Sequence, residues 1–447
     1  MTRRPQIVFA DTPERDLTKL AEYRAVGGYE ALAKARGMTP SAVTDELLAS
    51  ELRGRGGAFF PTGRKWSFVP KPEQNPNPHY LVINADESEP GSFKDNEILT
   101  RVPHRFLEGC LITAHAVEAK HVYIYIRGEY LEPYEILVAA LEELGDRPEI
   151  RGDVTIVLHR GAGAYICGEE TALLDSLEGK RGQPRTKPPF PAIAGLYASP
   201  TVVNNVETIA TVPPVIAMGG AEYAKLGVEN SRGTRVVSVS GHVARAGNYE
   251  IEPGVTLHDL IYADDLGGGV PGGHTLKAVI PGGSSTVILK GAEIDVGYDF
   301  DSLLALNTAM GSAGVIALDE RVCMVQLGIR ISEFYEHESC GKCTPCREGT
   351  RWMTTILRKL EAGDASEDEL DLLLSVCDRI NGKCLCPLGD TAAMAVASYV
   401  DKFRAEFVAH LDGGGCPFDD SPLEGVLAPI AQHGHSQMRE WLSEAHG

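Results

Sequence analysis

A chain of 447 residues with 43% hydrophobic and 23% charged side chains has ordinary globular composition, and it is too long for one core of usual size, so two to four domains are expected. A formal net charge of -20 repels phosphate backbones and anionic lipid heads, which argues against nucleic acid or direct membrane contact as the main activity. No run of about 18 apolar residues occurs, and the opening MTRRPQIVFADTPERD lacks the apolar segment of a secretory signal, so a reducing, cytoplasmic setting is expected.

From about residue 14 to 53 the pattern is helical, with short amphipathic segments such as SAVTDELLASEL running into the glycine-rich loop RGRGGAFFPTGRKW. A strand HYLVINADE follows, then a helix around FLEGCLITAHAVEA, a strand HVYIYIR, a helix EPYEILVAALEEL and a strand DVTIVLHR. This alternation predicts a parallel sheet with crossover helices, whose ligands gather at the carboxyl ends of the strands. Another helix follows GAGAYICGEE, and the Pro-rich QPRTKPPFPAIAGLY reads as a loop. After about residue 232 the texture becomes VVSVSGHV, GNYEI, a short helix at TLHDLI, then KAVIPGGSSTVI, which predicts a small mixed β domain rich in glycine turns. From about residue 324 helices dominate. The expected division is 1–231, 232–323 and 324–447, in turn α/β, α+β and all-α.

Chemistry-bearing residues concentrate at five places. The loop Gly54, Arg55, Gly56, Gly57 to Gly63, followed by Arg64 and Lys65, combines open backbone amides with cations, and reads as a phosphate cradle or as a simple turn. Asn84, Asp86, Glu87 and Glu89 stand just past a predicted strand, as ligand-binding groups or as a solvated charged turn. Gly161, Gly163 and Gly168 depart from dinucleotide-fingerprint spacing. Glu169 and Glu170 after them suit ribose or ribityl hydroxyls better than a pyrophosphate, or merely cap the helix. Asn204 and Asn205 offer donors and acceptors to a ring or phosphate, or a helix cap.

The fifth place is a set of thiols. Cys340, Cys343 and Cys346 stand at CxxCxxC spacing, and Cys386 returns 40 residues later in KCLCPLGD. Between them Trp352, Met353, Ile356, Leu357 and Leu360 recur at helical spacing, and a second apolar run follows a Ser366 to Glu369 capping box. A helical hairpin of two similar arms returns the chain to its start, so Cys386 closes the cage that the first three thiolates open. Three cysteines followed by one favour a [4Fe-4S] cluster over zinc, whose sites usually pair two knuckles. Cys384 is the alternative fourth ligand; the turn-forming PLG after Cys386 favours Cys386. Cys110, Cys167, Cys323, Cys377 and Cys416 read as ordinary small side chains, and metal binding by His433 and His435 in the tail is disfavoured.

Taken in order, RGRGGAFFPTGRKW, NADESEPGSFKDNE, GAGAYICGEETALLDSLEGKRGQPR, KPPFPA, TVVNNVET, ESCGKCTPCREGT and CPLGD resemble the NADH-oxidising flavoprotein subunit of respiratory complex I, over about residues 22 to 395. Diaphorase subunits of NAD-linked hydrogenases and formate dehydrogenases share that core, but many carry an added iron-sulfur module at one end, which favours the complex I form here. The resemblance implies a Rossmann-like FMN and NADH domain, a β-grasp soluble-ligand-binding module with a structural or docking role, and a helical [4Fe-4S] domain. It places FMN against Gly54, Arg55, Gly56, Gly57, Lys65, Asn84, Asp86, Glu87, Tyr165, Gly168, Glu169, Asn204, Asn205 and Thr208. NADH falls to Phe60, Phe68, Phe190, Glu89, Glu170 and Lys187. It further implies electron transfer from NADH through FMN to the cluster of Cys340, Cys343, Cys346 and Cys386. Its partners would be a thioredoxin-like [2Fe-2S] subunit and a large multi-cluster iron-sulfur subunit, in the peripheral arm on the cytoplasmic face of a bacterial inner membrane. A flavin fits the step because it accepts a hydride and releases electrons singly. The rival of another class is a non-catalytic interaction protein with a zinc-stabilised helical domain.

Two departures from the family pattern stand out. Phe59 replaces a glycine of the family loop, and Asn96 replaces an arginine after Lys94 and Asp95. Phe59 is expected to strain the loop or narrow the nucleotide entrance, altering nucleotide affinity without loss of flavin.

Overall fold

The computed structural model describes residues 6–12, 14–145, 147–412 and 415–418. His433 and His435 lie outside the described residues. After two short helices, Leu20–Ala25 and Glu30–Arg36, comes α1 (Pro40–Ala49), begun by Thr39, whose hydroxyl accepts from Ala42 N, and by Pro40 at its first position. Strand β1 (Tyr80–Ala85) leads to α2 (Lys94–Arg101), α3 (Pro103–Ala116), β2 (His121–Ile126), α4 (Leu131–Leu144), β3 (Thr155–Arg160), α5 (Glu170–Leu177), β4 (Thr201–Asn205) and α6 (Val206–Met218). The four strands form one all-parallel sheet in the order β3-β2-β1-β4. Both of its faces are covered, as a parallel sheet requires. Leu81 and Ile83 of β1 join one core with α3 and α6, while Val82 between them joins the core on the opposite face.

Of these elements, α2 and β4 are not among those predicted, and α6 is implied only by the alternative reading of Asn204 and Asn205 as a helix cap. Strand β4 is only TVVNN and follows a proline-rich loop, and α6 carries Pro213 and Pro214 inside it, which break the apolar period that reveals a helix. Helix α3 crosses α6 so closely that a Cβ on Gly109 would fall 2.0 Å from Ile209 O. Buried Glu108 of α3 accepts from Tyr29 N and Leu32 N at 3.0 and 2.9 Å and from the Tyr23 hydroxyl, tying the N-terminal helices to this core.

A second sheet follows, of β5 (Arg235–Gly241), β6 (Gly247–Ile251), β7 (Leu276–Ile280), β8 (Leu289–Lys290) and β9 (Gly314–Asp319), in the order β8-β7-β9-β5-β6. Only the β9–β5 pair is parallel within it. The last unit is four helices, α7 (Met324–Glu338), α8 (Thr344–Ala362), α9 (Glu367–Ile380) and α10 (Pro387–Asp412). The predicted hairpin is α8 and α9. Its turn is stopped by Gly363 at φ 73° and restarted by the Ser366–Glu369 capping box. Met353, Ile356, Leu357 and Leu360 are buried as predicted, but Trp352 is 57% exposed, because at that register it lies off the apolar stripe. The bundle core is continuous with Val82, Tyr125 and Val203 of the first sheet and Ile280, Ile316 and Leu318 of the second. No helix among the described residues is long and apolar enough to cross a membrane.

Candidate functional site

The carboxyl ends of β1 and β4, the glycine loop and the start of α5 meet at one place, built from backbone as much as from side chains. Gly54 N donates to Phe60 O at 2.9 Å, closing the loop. Gly57 has φ 110°, open to glycine and strained for other residues, and a Cβ on Gly56 would press on Asn205 Cβ at 3.1 Å. Asn84 Nδ2 donates to Gly168 O at 2.8 Å, which fixes the second glycine segment against the end of β1. Asp86, on the same strand end, is buried. Burial raises its pKa to about 8, with Arg127 the largest opposing influence. Its Oδ2 is a buried acceptor without a hydrogen bond, the sort of orphan that a hydroxyl-bearing ligand would satisfy.

Several predicted contacts prove committed to the protein itself. Arg55 is 1% exposed, and its guanidinium donates to Arg232 O and Thr234 O at 2.8 and 2.9 Å, so only its backbone remains for the loop, held by Arg55 N donating to Thr208 Oγ1 at 2.8 Å. Glu87 accepts from Asp95 N and Asn96 N, both at 3.0 Å, and from the hydroxyls of Ser92 and Tyr130 at 3.0 and 2.9 Å, which makes it the cap of α2. Asn205 Oδ1 accepts from Glu207 N at 2.9 Å and so caps α6, and Asn204 Oδ1 accepts from Trp66 Nε1 at 2.9 Å. Beneath the loop, buried Lys94 pairs with Asp95 at 2.6 Å and Glu207 at 3.0 Å. Although burial opposes its charge, those carboxylates keep it protonated.

The acidic pair opening α5 divides its work. Glu169 Oε2 accepts from Thr171 N and Ala172 N at 2.9 and 3.0 Å as a cap, while its Oε1 meets Lys187 Nζ at 3.1 Å. Glu170 bridges Lys65 at 3.2 Å and Lys187 at 2.9 Å. Burial raises its pKa, but these two ammonium groups more than offset that and leave it lowered. Lys65 also donates to Val203 O at 2.8 Å, so it is held across the mouth of the sheet. Phe60 and Phe68 stand exposed with ring centroids 6.0 Å apart, and Phe190 is 58% exposed, so all three offer open faces for stacking.

Glu89 is engaged otherwise than expected. Its Oε1 accepts from Ser285 N and Ser284 Oγ at 2.7 and 3.1 Å, and its Oε2 from Tyr165 OH at 2.6 Å, so it knits the first sheet's loop to the middle domain. A Cβ on Gly283 would lie 2.5 Å from Glu89 Cγ. The sequence reading missed this PGGSS loop at the site. Its paired glycines were the available signal, since they let a backbone come this close. Phe59 has the positive φ expected to strain the loop, 54°, but the expected narrowing of the entrance is corrected, since its ring is only 5% exposed. It packs on Phe300 at 5.4 Å and beneath Arg235 at 4.4 Å, inside the middle domain's core and away from the entrance.

The thiols converge on the edge of this site. Cys343 is the residue before α8, Cys386 the residue before α10, and Cys346 is buried on the first turn of α8. Burial pushes Cys346 up to about 11 and Cys386 up to about 12, so a shared cation is what would make them thiolates together. The Cys386 thiol also feels Glu169, and accepts from Leu388 N at the start of α10. Cys384 feels Cys343 and Cys346, and its thiol also donates to Ile380 O at 3.5 Å. Gln183 Nε2 donates to Cys340 O at 3.1 Å and Lys342 Nζ to Pro184 O at 2.6 Å, so the loop after α5 is docked onto the cage. Cradle, acidic pair and thiol cage thus adjoin.

Residues 47–214 match the family described as the Nuo51 FMN-binding domain, 235–316 the SLBB domain, and 327–410 the NADH-ubiquinone oxidoreductase-F iron-sulfur binding region. Among curated relatives, the second of the NADH-quinone oxidoreductase F subunits of Rhizobium meliloti (strain 1021) is 49% identical over 416 residues, covering 91% of this chain and 97% of that protein. The chain belongs to the family of NADH-quinone oxidoreductase F subunits. The F subunit of Streptomyces coelicolor (strain ATCC BAA-471 / A3(2) / M145) is 49% identical over 404 residues, 89% of each chain. A solved NAD+-reducing [NiFe]-hydrogenase in its H2-reduced state superposes with a TM-score of 0.78 at 33% identity, over 93% of this chain and 68% of that one. As a member of this family, the chain is an NADH-oxidising enzyme component with FMN and a [4Fe-4S] cluster as cofactors, and it works in a complex with other subunits.

Proposed function

We propose that FMN lies in the cradle of Gly54, Gly56, Gly57, Gly168 and the backbone of Arg55, with Lys65, Asp86, Tyr165, Glu169 and the ends of β1 and β4 around it. The observation that carries this reading is the unsatisfied buried Oδ2 of Asp86 beside Gly168, at strand ends where Gly56 leaves little room for a side chain against Asn205. Asn84, Asn204, Asn205, Glu87 and Thr208 support it from behind by holding Gly168, Trp66, α2 and the loop in place. Bound FMN supplies a two-electron acceptor that can give up its electrons one at a time, which no side chain here can do. The chain's own residues orient and exclude: exposed Phe60, Phe68 and Phe190 offer stacking faces for the adenine of NADH, and Glu170, kept ionised by Lys65 and Lys187, offers an acceptor to a ribose hydroxyl. Glu89 contributes by closing the site against the middle domain.

The cluster ligands in this reading are Cys340, Cys343, Cys346 and Cys386. Cys386 is preferred to Cys384 because its sulfur sits at the amino end of α10 and accepts from Leu388 N there, whereas the Cys384 thiol donates to Ile380 O. Electrons would then leave for a thioredoxin-like [2Fe-2S] subunit and a multi-cluster subunit in the peripheral arm on the cytoplasmic face of the inner membrane, and on to quinone. The test pairs Cys386→Ser with Cys384→Ser. The first should abolish the reduced cluster's paramagnetic signal while FMN and NADH-ferricyanide activity persist, and the second should keep both; the reverse pattern moves the ligand to Cys384.

A further inference from the structure

At the opposite end of the helical bundle from the thiol cage, four potential ligands from four separate segments come together: Cys323 before α7, Glu361 at the end of α8, His410 at the end of α10, and Cys416 beyond it. Their donor atoms all lie within 4.8 Å of one another. The separations are Cys323 Sγ to Cys416 Sγ 3.7 Å, Cys323 Sγ to His410 Nε2 3.3 Å and His410 Nε2 to Glu361 Oε2 3.4 Å. A tetrahedral shell with zinc–sulfur bonds of about 2.3 Å and zinc–nitrogen or zinc–oxygen bonds of about 2.0–2.2 Å has edges of roughly 3.3–3.8 Å. These three edges fall inside that range. Sequence alone treats Cys323 and Cys416 as ordinary small side chains, which leaves this convergence without a purpose.

We propose that Cys323, Glu361, His410 and Cys416 form a closed, structural zinc site that staples the C-terminal segment to the far end of the bundle. The surroundings are those of a metal centre. His410 Nδ1 lies 2.7 Å from Glu406 O, to which it donates, so in the neutral ring Nε2 is the nitrogen that carries the lone pair a metal needs. Gln326 Nε2 donates to Glu361 Oε1 at 2.7 Å and lies 3.6 Å from Cys416 Sγ, orienting both ligands. Glu361 Oε2 is a buried acceptor with no well-formed hydrogen bond, and it is aimed into the cluster toward His410 Nε2 at 3.4 Å. Cys323 is the residue capping α7, and its sulfur accepts from Gln326 N at 3.5 Å, which fixes the direction in which it points. Two thiolates, a carboxylate and a neutral imidazole leave one negative charge on a divalent complex. Lys277, whose Nζ donates to Val322 O at 2.6 Å and pairs with Glu406 at 2.5 Å, stands beside it.

Binding releases the two thiol protons, and the ion exchanges no electrons, since zinc has no redox chemistry. Its place is structural also by distance: α7 has 15 residues, so the cage beyond its other end is roughly 20 Å away.

The experiment is metal analysis of the full-length chain, expressed with zinc and purified without chelator, next to Cys416→Ser, His410→Gln and Cys386→Ser. The proposal expects about one zinc per chain in addition to cluster iron, falling about ten-fold or more in the first two variants. Iron and FMN should be unchanged in those two, which also shows that they have folded. Cys386→Ser should keep its zinc. Cobalt added to zinc-free wild-type protein should give a thiolate-to-cobalt absorption band, a readout that needs no variant. Zinc that remains in both variants, zinc lost with Cys386→Ser instead, no cobalt band, or a Cys323–Cys416 disulfide in freshly isolated protein would each overturn the assignment.

Discussion

Phe59 shows how one residue can keep a backbone shape while changing its reason. A left-handed φ costs a non-glycine residue about 1–2 kcal/mol, whereas emptying a buried aromatic site costs about 3–5 kcal/mol, so packing on Phe300 and Arg235 wins. Phe59→Gly should therefore lower stability by about 2 kcal/mol, read as a drop in melting temperature. The Michaelis constant for NADH should change little, because the ring faces the middle-domain core. Asp86 sets a different test. Its acid is held at about 8 in the fold against an ordinary 3.8, so folding takes up a proton between those values and stability falls as pH rises through that window. In flavin-free protein, Asp86→Asn should remove that slope, raising the melting temperature at pH 8 while leaving it nearly unchanged near pH 4. An equal shift at both ends of the range would show that Asp86 is not the titrating group.

At the scale of elements, the cage depends on how closely α8, α9 and α10 approach. Gly349 of α8 has no room for a side chain, since a Cβ would come 2.5 Å from Ile380 Cγ1 on α9. A Cβ on Gly389 of α10 would lie 2.5 Å from Cys384 Sγ and 3.2 Å from Cys346 Cβ. Gly389→Ala should thus spread the cage itself, lowering iron per chain with FMN retained, as acid-extracted flavin and iron analysis would show. The hairpin turn is a milder perturbation: Ser366→Ala removes one half of the capping box and should cost about 1 kcal/mol in denaturant unfolding, with the cluster intact.

For the whole molecule, the decisive feature is that its cores are shared. Residues of both sheets and the bundle pack into one apolar cluster, and Glu89 joins the first sheet's loop to Ser284 and Ser285 of the middle domain and to Tyr165. Glu89→Ala leaves those donors unpaired near the junction, a loss of about 2–3 kcal/mol. Calorimetry should show the unfolding transition broadening or splitting relative to wild type as the middle domain uncouples. An unchanged, sharp transition would mean that the shared apolar core alone carries the coupling. Against a net charge of -20, the cations Lys65 and Lys187 are both fixed at the start of α5 by Glu170, which keeps positive charge localised at that point of an acidic chain.

Local periodicity determined much of this protein. The alternation of β1 to β3 with their helices, the α8–α9 hairpin and the thiol spacing are short-range patterns, and each is legible because one element's own geometry imposes it. The loop glycines and the paired glutamates are local motifs too, visible for the same reason. Tertiary structure alone decided where side chains spend their hydrogen bonds: Arg55 and Glu87 turn inward to carbonyls and amides, Glu89 to another domain, and Phe59 into a different core. It also joined Cys323 to Cys416 across 93 residues, because the ends of long helices meet through packing, and no spacing in the chain encodes that distance.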